Sequence, residues 1–375
     1  MSLWSQIKNG LLAVAAGKTA TPFLGGLHGI SPDEKDTLSV IHDLSRVVKN
    51  NPEAMETYLA LGSLFRARGD FERAVQIRES LLLRPELTLN FKARTYFELG
   101  QDYRRVGILD RALHAYAEAA RLGIPQMQIN AELAVLYADS GDFAKAVNYY
   151  VLLGNKIAAA HYMVRQAKEL SGHAPHNMKK SIRLINKALK VYPASPEAWS
   201  TLVLGEIAEN RWKHASKMFQ KSLEQIPSAK IFMLFEEILD LHSEEKTADK
   251  TYYNLLAENF LPFIQERVPK AAPYYFGALA LKYCERYEEA DQWLTKALII
   301  QPDFWFGHLA QLDIARKQHG LPPIFGTDLD FFIAQSKKLR RFLCTACGLK
   351  RNTLFYCCPR CRSWHSADYI FTLSD

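Results

Sequence analysis

Five of the six cysteines in this 375-residue chain fall between Cys344 and Cys361. They run as Cys344-Thr345-Ala346-Cys347 and Cys358-Pro359-Arg360-Cys361, with ten residues, 348 to 357, between the pairs. Two such CxxC knuckles can turn four thiolates toward one ion, which is the chemistry of a tetrahedral metal site. Gly348 follows Cys347 directly and allows the tight turn a knuckle needs, while Pro359 stiffens the second pair. With every position taken by protein sulfur, the site is closed and structural, not catalytic. Cys357 does not keep the two-residue spacing to Cys361 and is read as a strand cysteine. His365 is a spare ligand that four thiolates make unnecessary. Zinc is the expected ion, and a rubredoxin-like iron site is the alternative.

The surroundings of these cysteines are basic. Lys337, Lys338, Arg340, Arg341, Lys350, Arg351, Arg360 and Arg362 lie in the same stretch with no acidic residue among them. The whole chain carries +7, so setting those eight aside leaves about −1 for the rest. Four thiolates around a divalent ion carry a net −2, which these side chains partly offset. Thr353-Leu354-Phe355-Tyr356, between the pairs, suits a short hairpin strand. A piece this small cannot bury enough apolar surface alone, so metal binding and folding are one event.

What must carry such a ribbon is a repeat array. Tyr58, Leu61-Gly62, Phe65, Gly69 and Ala74 return as Tyr96, Leu99-Gly100, Tyr103, Gly107 and Ala112, and again as Ala134, Tyr137, Gly141 and Ala146. Gly107 to Gly141 and Ala112 to Ala146 are each 34 residues apart, the tetratricopeptide (TPR) period. Pro193 and Pro227 close two later units at the same spacing. Residues 228–268 keep helical apolar spacing but lose the signature, and Tyr274, Ala278, Leu281, Ala290, Ala297 and Pro302 restore it. Each unit is a pair of antiparallel helices, and proline ends the second because it cannot continue a helix.

The predicted fold is therefore all-α: a TPR solenoid with a small C-terminal rubredoxin-like zinc ribbon. Residues 1–37 form an N-terminal segment and flexible link. Residues 38–319 form the solenoid of about seven hairpin units, closed by a solvating helix over 303–319. Residues 320–340 are a linker in which Gly320 to Gly326 breaks the helical pattern and a short helix follows over 328–339. Residues 341–375 are the ribbon. Repeat register turns Arg66, Arg104 and Arg105 toward the face that holds partners, where they would favour an acidic segment.

The TPR repeats followed by C-x2-C-x10-C-P-x-C-x2-W, from Cys344 to Trp364, resemble the lipopolysaccharide assembly protein B family of Gram-negative bacteria. The opening repeat, Leu61-Gly62-Ser63-Leu64-Phe65-Arg66-Ala67-Arg68-Gly69, is similar to that family's first repeat. The resemblance implies a regulatory adaptor at the cytoplasmic face of the inner membrane. It would bring the lipid A pathway deacetylase to a membrane-bound ATP-dependent protease, with the ribbon packed on the repeats. It also maps Cys344, Cys347, Cys358 and Cys361 onto the family's metal ligands.

The family's usual transmembrane anchor has no counterpart here, since no run approaches the roughly 18 apolar residues a spanning helix needs. Leu3, Trp4, Ile7, Leu11 and Val14 instead share one side of an amphipathic helix that could lie on a membrane or dock on the repeats. Weak n-region charge argues against a cleaved signal peptide. Nucleic-acid binding through the basic ribbon is the competing reading, with Phe342, Phe355, Tyr356 and Trp364 as stacking groups. Against it, those rings have core duty in so small a domain. An enzyme is not expected: His161, His173, His176 and His214 form no motif, and no Gly-rich phosphate loop occurs.

Overall fold

The computed structural model describes residues 34–50, 55–173, 178–239, 250–267, 270–319, 323–336 and 341–371. The amphipathic reading of Leu3 to Val14 lies outside them, as do Lys337, Lys338 and Arg340. The chain divides into two units, one ending at Tyr162 and the other beginning at Met163.

In the first unit, helices α1 (Glu34–Asn50), α2 (Met55–Arg68), α3 (Phe71–Leu82), α4 (Leu89–Val106), α5 (Leu109–Arg121), α6 (Gln126–Asp139) and α7 (Phe143–Leu152) are followed by the start of α8 (Lys156–His173). α2 pairs with α3, α4 with α5 and α6 with α7. Each first helix stops at a glycine with positive φ: 88° at Gly69, 88° at Gly107 and 82° at Gly141. A side chain would strain that left-handed position, so the spaced glycines read in the sequence are the turns of the hairpins. Side-chain caps start the following helices where the turn is short: Asp70 accepts from the Arg73 amide and Asp142 from the Lys145 amide. Ala112, Tyr116, Ala119, Leu99 and Ile129 build the shared interior.

The second unit continues with α9 (Met178–Val191), α10 (Pro196–Ala208), α11 (Trp212–Gln225), α12 (Ile231–Leu239), α13 (Lys250–Arg267), α14 (Ala271–Tyr283), α15 (Tyr287–Ile300), α16 (Trp305–His319) and α17 (Pro323–Ser336). Three strands follow, β1 (Phe342–Cys344), β2 (Lys350–Arg351) and β3 (Ala367–Tyr369), in the antiparallel order β2-β1-β3.

One expectation gains its reason and two change. α12 keeps helical apolar spacing but lacks the repeat signature because it is buried along nearly its whole length: Ile231 to Glu236, Ile238 and Leu239 are all in the interior. α16 is not a solvating cap. Phe306, Leu309, Ala310 and Ile314 are buried, and the Trp305 amide donates to the Phe371 carbonyl at 3.1 Å. α17 begins at Pro323, inside the stretch read as a break, since proline is tolerated in a helix's first turn.

Candidate metal centre

The two knuckles have the same backbone. The Gly348 amide donates to the Cys344 carbonyl at 2.9 Å, and the Arg362 amide to the Cys358 carbonyl at 2.9 Å. The Cys344 amide reaches the Leu349 carbonyl at 2.8 Å, and the Cys358 amide the Ser363 carbonyl at 2.9 Å. Each turn passes through a left-handed residue directly after its second cysteine, Gly348 with φ 70° and Arg362 with φ 58°. Arginine accepts that strain in the second knuckle, which is why no glycine marked it in the sequence.

Thr353 to Tyr356 is not a strand. Phe355 and Tyr356 are both buried, 7% and 8% exposed, and two neighbouring inward side chains break the alternation a strand requires. The sheet instead takes Ala367–Tyr369, beyond the second knuckle, as its third strand. Cys357 pairs with Trp364 in an isolated bridge and lies off the sulfur cluster.

The sulfurs of Cys344, Cys347, Cys358 and Cys361 all lie within 4.8 Å of one another. Cys344 and Cys361 are 3.6 Å apart at sulfur, and Cys347 and Cys358 are 3.7 Å apart. A disulfide would bring them to about 2 Å. A tetrahedral ion with metal–sulfur bonds of about 2.3 Å sets edges near 3.8 Å, so the donors present fit a four-sulfur ion.

The chain also prepares the sulfurs for charge. Burial works against the Cys361 thiolate, but the Ser363 hydroxyl, 3.2 Å away, and its amide pull the group down to about 6. Burial likewise opposes the Cys344 thiolate, which Ser366 at 3.2 Å and the amides of Ala346 and Cys347 bring below the ordinary thiol value. Cys347 is pushed up to about 12 by burial, and Cys358 is raised by the same cause. Four thiolates this close repel, so an ion's positive charge is what lets all of them ionise. Ser363 and Ser366 gave no signal in the sequence, because serines near knuckles are too common to single out.

Helices of the second unit hold the ribbon. Arg341 Nη2 meets Glu236 of α12 at 2.7 Å, and both side chains are nearly buried, 11% and 4% exposed. Tyr356 donates its hydroxyl to Glu237 Oε1 at 3.1 Å, and Lys230 Nζ donates to the Ala367 carbonyl at 2.7 Å. Phe342 stacks on Phe232 with ring centres 6.1 Å apart, and Tyr369 meets Phe276 and Phe304 edge to face. Phe342, Phe355 and Tyr356 are thus core rings, and Trp364 is half-buried.

The three arginines expected on a partner face are placed differently from one another. Arg66 binds Glu98 at 2.5 Å and Asp102 at 3.1 Å, with its side chain 15% exposed. Arg104 is 7% exposed, with Asp139 at 2.7 Å and Glu132 at 3.6 Å. Arg105 is exposed. The carboxylates that engage the first two come from 28 to 36 residues further on in the sequence, a neighbour relation that only the folded array creates.

Tetratricopeptide-repeat family models match residues 57–92 and 97–156. The chain is 22% identical over 371 residues to lipopolysaccharide assembly protein B of Escherichia coli K12, covering 93% of this chain and 89% of that protein. It is 28% identical over 335 residues to the protein of that name from Haemophilus influenzae Rd, covering 83% and 78%. Among solved structures, a tetratricopeptide repeat protein from Parabacteroides merdae aligns at 18% identity over 69% of this chain and 98% of that one, with a TM-score of 0.33. Among the described residues, no helix is long and apolar enough to cross a membrane. By its repeats and its likeness along most of its length to these two relatives, the chain is a tetratricopeptide-repeat protein similar to lipopolysaccharide assembly protein B.

Proposed function

We propose that this protein is a non-enzymatic adaptor that regulates lipopolysaccharide synthesis. In this reading it brings a lipid A pathway enzyme, the deacetylase, to a membrane-bound ATP-dependent protease at the cytoplasmic face of the inner membrane. The repeats supply the partner-binding surface, as TPR arrays do. The ribbon is a structural element that a zinc ion folds and that then locks onto α12. The observation that carries this reading is the closed four-sulfur cluster on a ribbon clamped to the helices by the buried Arg341–Glu236 pair. Such a site has no open position for substrate, so its role is to hold shape.

The test is a pull-down from the native host with the wild-type chain and with the Cys358→Ser/Cys361→Ser double variant. Recovery of the protease and the deacetylase by the wild type alone supports the adaptor. Recovery of neither by the wild type, or of ribosomes and RNA in their place, contradicts it. Metal analysis separates the ions: zinc gives a colourless protein, and an iron tetrathiolate gives a coloured, redox-active one.

A further inference from the structure

The net charge of the body is close to zero, yet its cations are not evenly spread. α9 carries Lys179, Lys180, Arg183, Lys187 and Lys190 and no acidic residue. α11 carries Lys213, Lys217 and Lys221, with Glu224 its one acidic residue. The two helices are in the same repeat register. The buried Ser181, Ile185 and Ala188 of α9 correspond to Ala215, Phe219 and Ser222 of α11, each 34 residues on. In that register Lys179 matches Lys213, Arg183 matches Lys217 and Lys187 matches Lys221. All six are exposed. Both helices pack on α10 between them, and equivalent faces of successive repeats point the same way, apart from a small rotation. The result is two parallel basic rows on one side of the second unit.

These six side chains have no ion-pair partner among the described residues, whereas Arg66, Arg104, Arg211, Arg286 and Arg316 are all paired. We propose that the two rows are a docking surface for an anionic lipid bilayer. Five of the six are lysines, point charges without the planar fork that reads a carboxylate or a base edge, and such charges suit a fluid array of headgroup phosphates. Met178 and Ile182, 41% and 37% exposed, flank the α9 row and can enter the headgroup boundary. α9 has no aromatic side chain, and on α11 Trp212 is half-buried and His214 lies beside Glu206, so this face offers no row of exposed Phe, Tyr or Trp rings for bases to stack on. The six side chains belong to α9 and α11 and not to the ribbon, so this proposal and the adaptor reading can fail independently.

The test uses the full chain, so that residues 1–33 are the same in every variant. Vesicles of phosphatidylcholine, with and without phosphatidylglycerol, are sedimented with the wild type and with glutamine variants. Binding to the phosphatidylglycerol vesicles alone is expected, and it weakens as salt is added. The α9 triple variant (Lys179, Arg183 and Lys187 to Gln) should bind at least about tenfold more weakly, and the six-fold variant at least about a hundredfold. An equal-charge control changing Lys156, Lys296 and Lys317 to Gln should bind like the wild type, and helical circular dichroism confirms folding. Undiminished binding by the six-fold variant, or equal loss by the control, would overturn the proposal. So would tighter capture of a single-stranded oligonucleotide than of the anionic vesicles.

Discussion

Arg78 lies over Gly62, so close that a Cβ built on the glycine would stand 2.8 Å from its Nη1. The same step of sixteen residues brings Tyr116 over Gly100 and Trp293 over Gly277, where a Cβ would meet the rings at 2.6 and 2.5 Å. One packing position is thus filled by two rings and, in the first repeat, by a fully buried guanidinium. That substitution forces the next repeat to answer. Glu98 lies 3.3 Å from Arg78, Asp102 is in direct contact, and both carboxylates also hold Arg66. Asp102→Ala leaves a buried cation short of its partner and should cost about 3–5 kcal/mol. Gly100→Ala overpacks a tight contact and should cost about 1–3 kcal/mol. Urea unfolding of the first unit, followed by far-ultraviolet circular dichroism, measures both; a near-zero cost for Asp102→Ala would remove the ion cluster from the account.

The ribbon's clamp is a second buried pair. Arg341→Met or Glu236→Gln alone should destabilise the second unit by about 3–5 kcal/mol, because each leaves its partner buried without compensation. Changing both to apolar residues should cost much less than the sum of the single changes. A double-mutant cycle on thermal unfolding checks this, and additive losses would show that the two residues do not act as a pair.

Removing the ion should unfold the ribbon and expose the aromatic face of α12, while the hairpins of residues 57–156 keep their stability. With Cys347 held near 12 and Cys358 raised, those two thiols are protonated at neutral pH. Metal binding should then release at least the protons of those two thiols. Cys361, near 6, adds a further one as the pH falls below that value, so affinity should drop more steeply there. Calorimetry in buffers of different ionisation enthalpy counts the protons, and a count of zero would contradict this charge state.

Glu237 gives the docked ribbon a pH dependence of its own. Burial raises its carboxyl above the usual glutamate value, Lys168 opposes the shift and Glu197 adds to it. A raised folded value means the stabilising contribution is complete below about 4.3 and is lost as the pH rises through the folded value. At saturating metal, Glu237→Gln should therefore lose less stability than the wild type as the pH rises above about 4.3. Parallel melting curves for the two proteins across that range would contradict the assignment.

The sequence was legible where one residue type has one physical use. The turn glycines at 34-residue spacing and the paired cysteines belong to that class, and they located the hairpins and the four sulfurs. It was opaque where position depends on a distant neighbour. Arg66 and Arg104 look solvent-facing by register until carboxylates from the following repeat reach them. α12 was readable as a helix but not as a repeat, because it is buried along nearly its whole length. The basic rows on α9 and α11 hid because a charge total averages them against acidic residues elsewhere. Resemblance led to the family, but nothing in the spacing alone showed that Ser363 and Ser366 attend the sulfurs.

The most direct test of the account is X-ray absorption at the metal edge on the purified full chain. It predicts one ion per chain, surrounded by four sulfurs at about 2.3 Å with no nitrogen or oxygen in the first shell. The Cys358→Ser/Cys361→Ser variant should lose that signal. A metal-free protein with its cysteines in disulfides, or an ion with nitrogen or oxygen ligands and an open position, would contradict a closed structural centre.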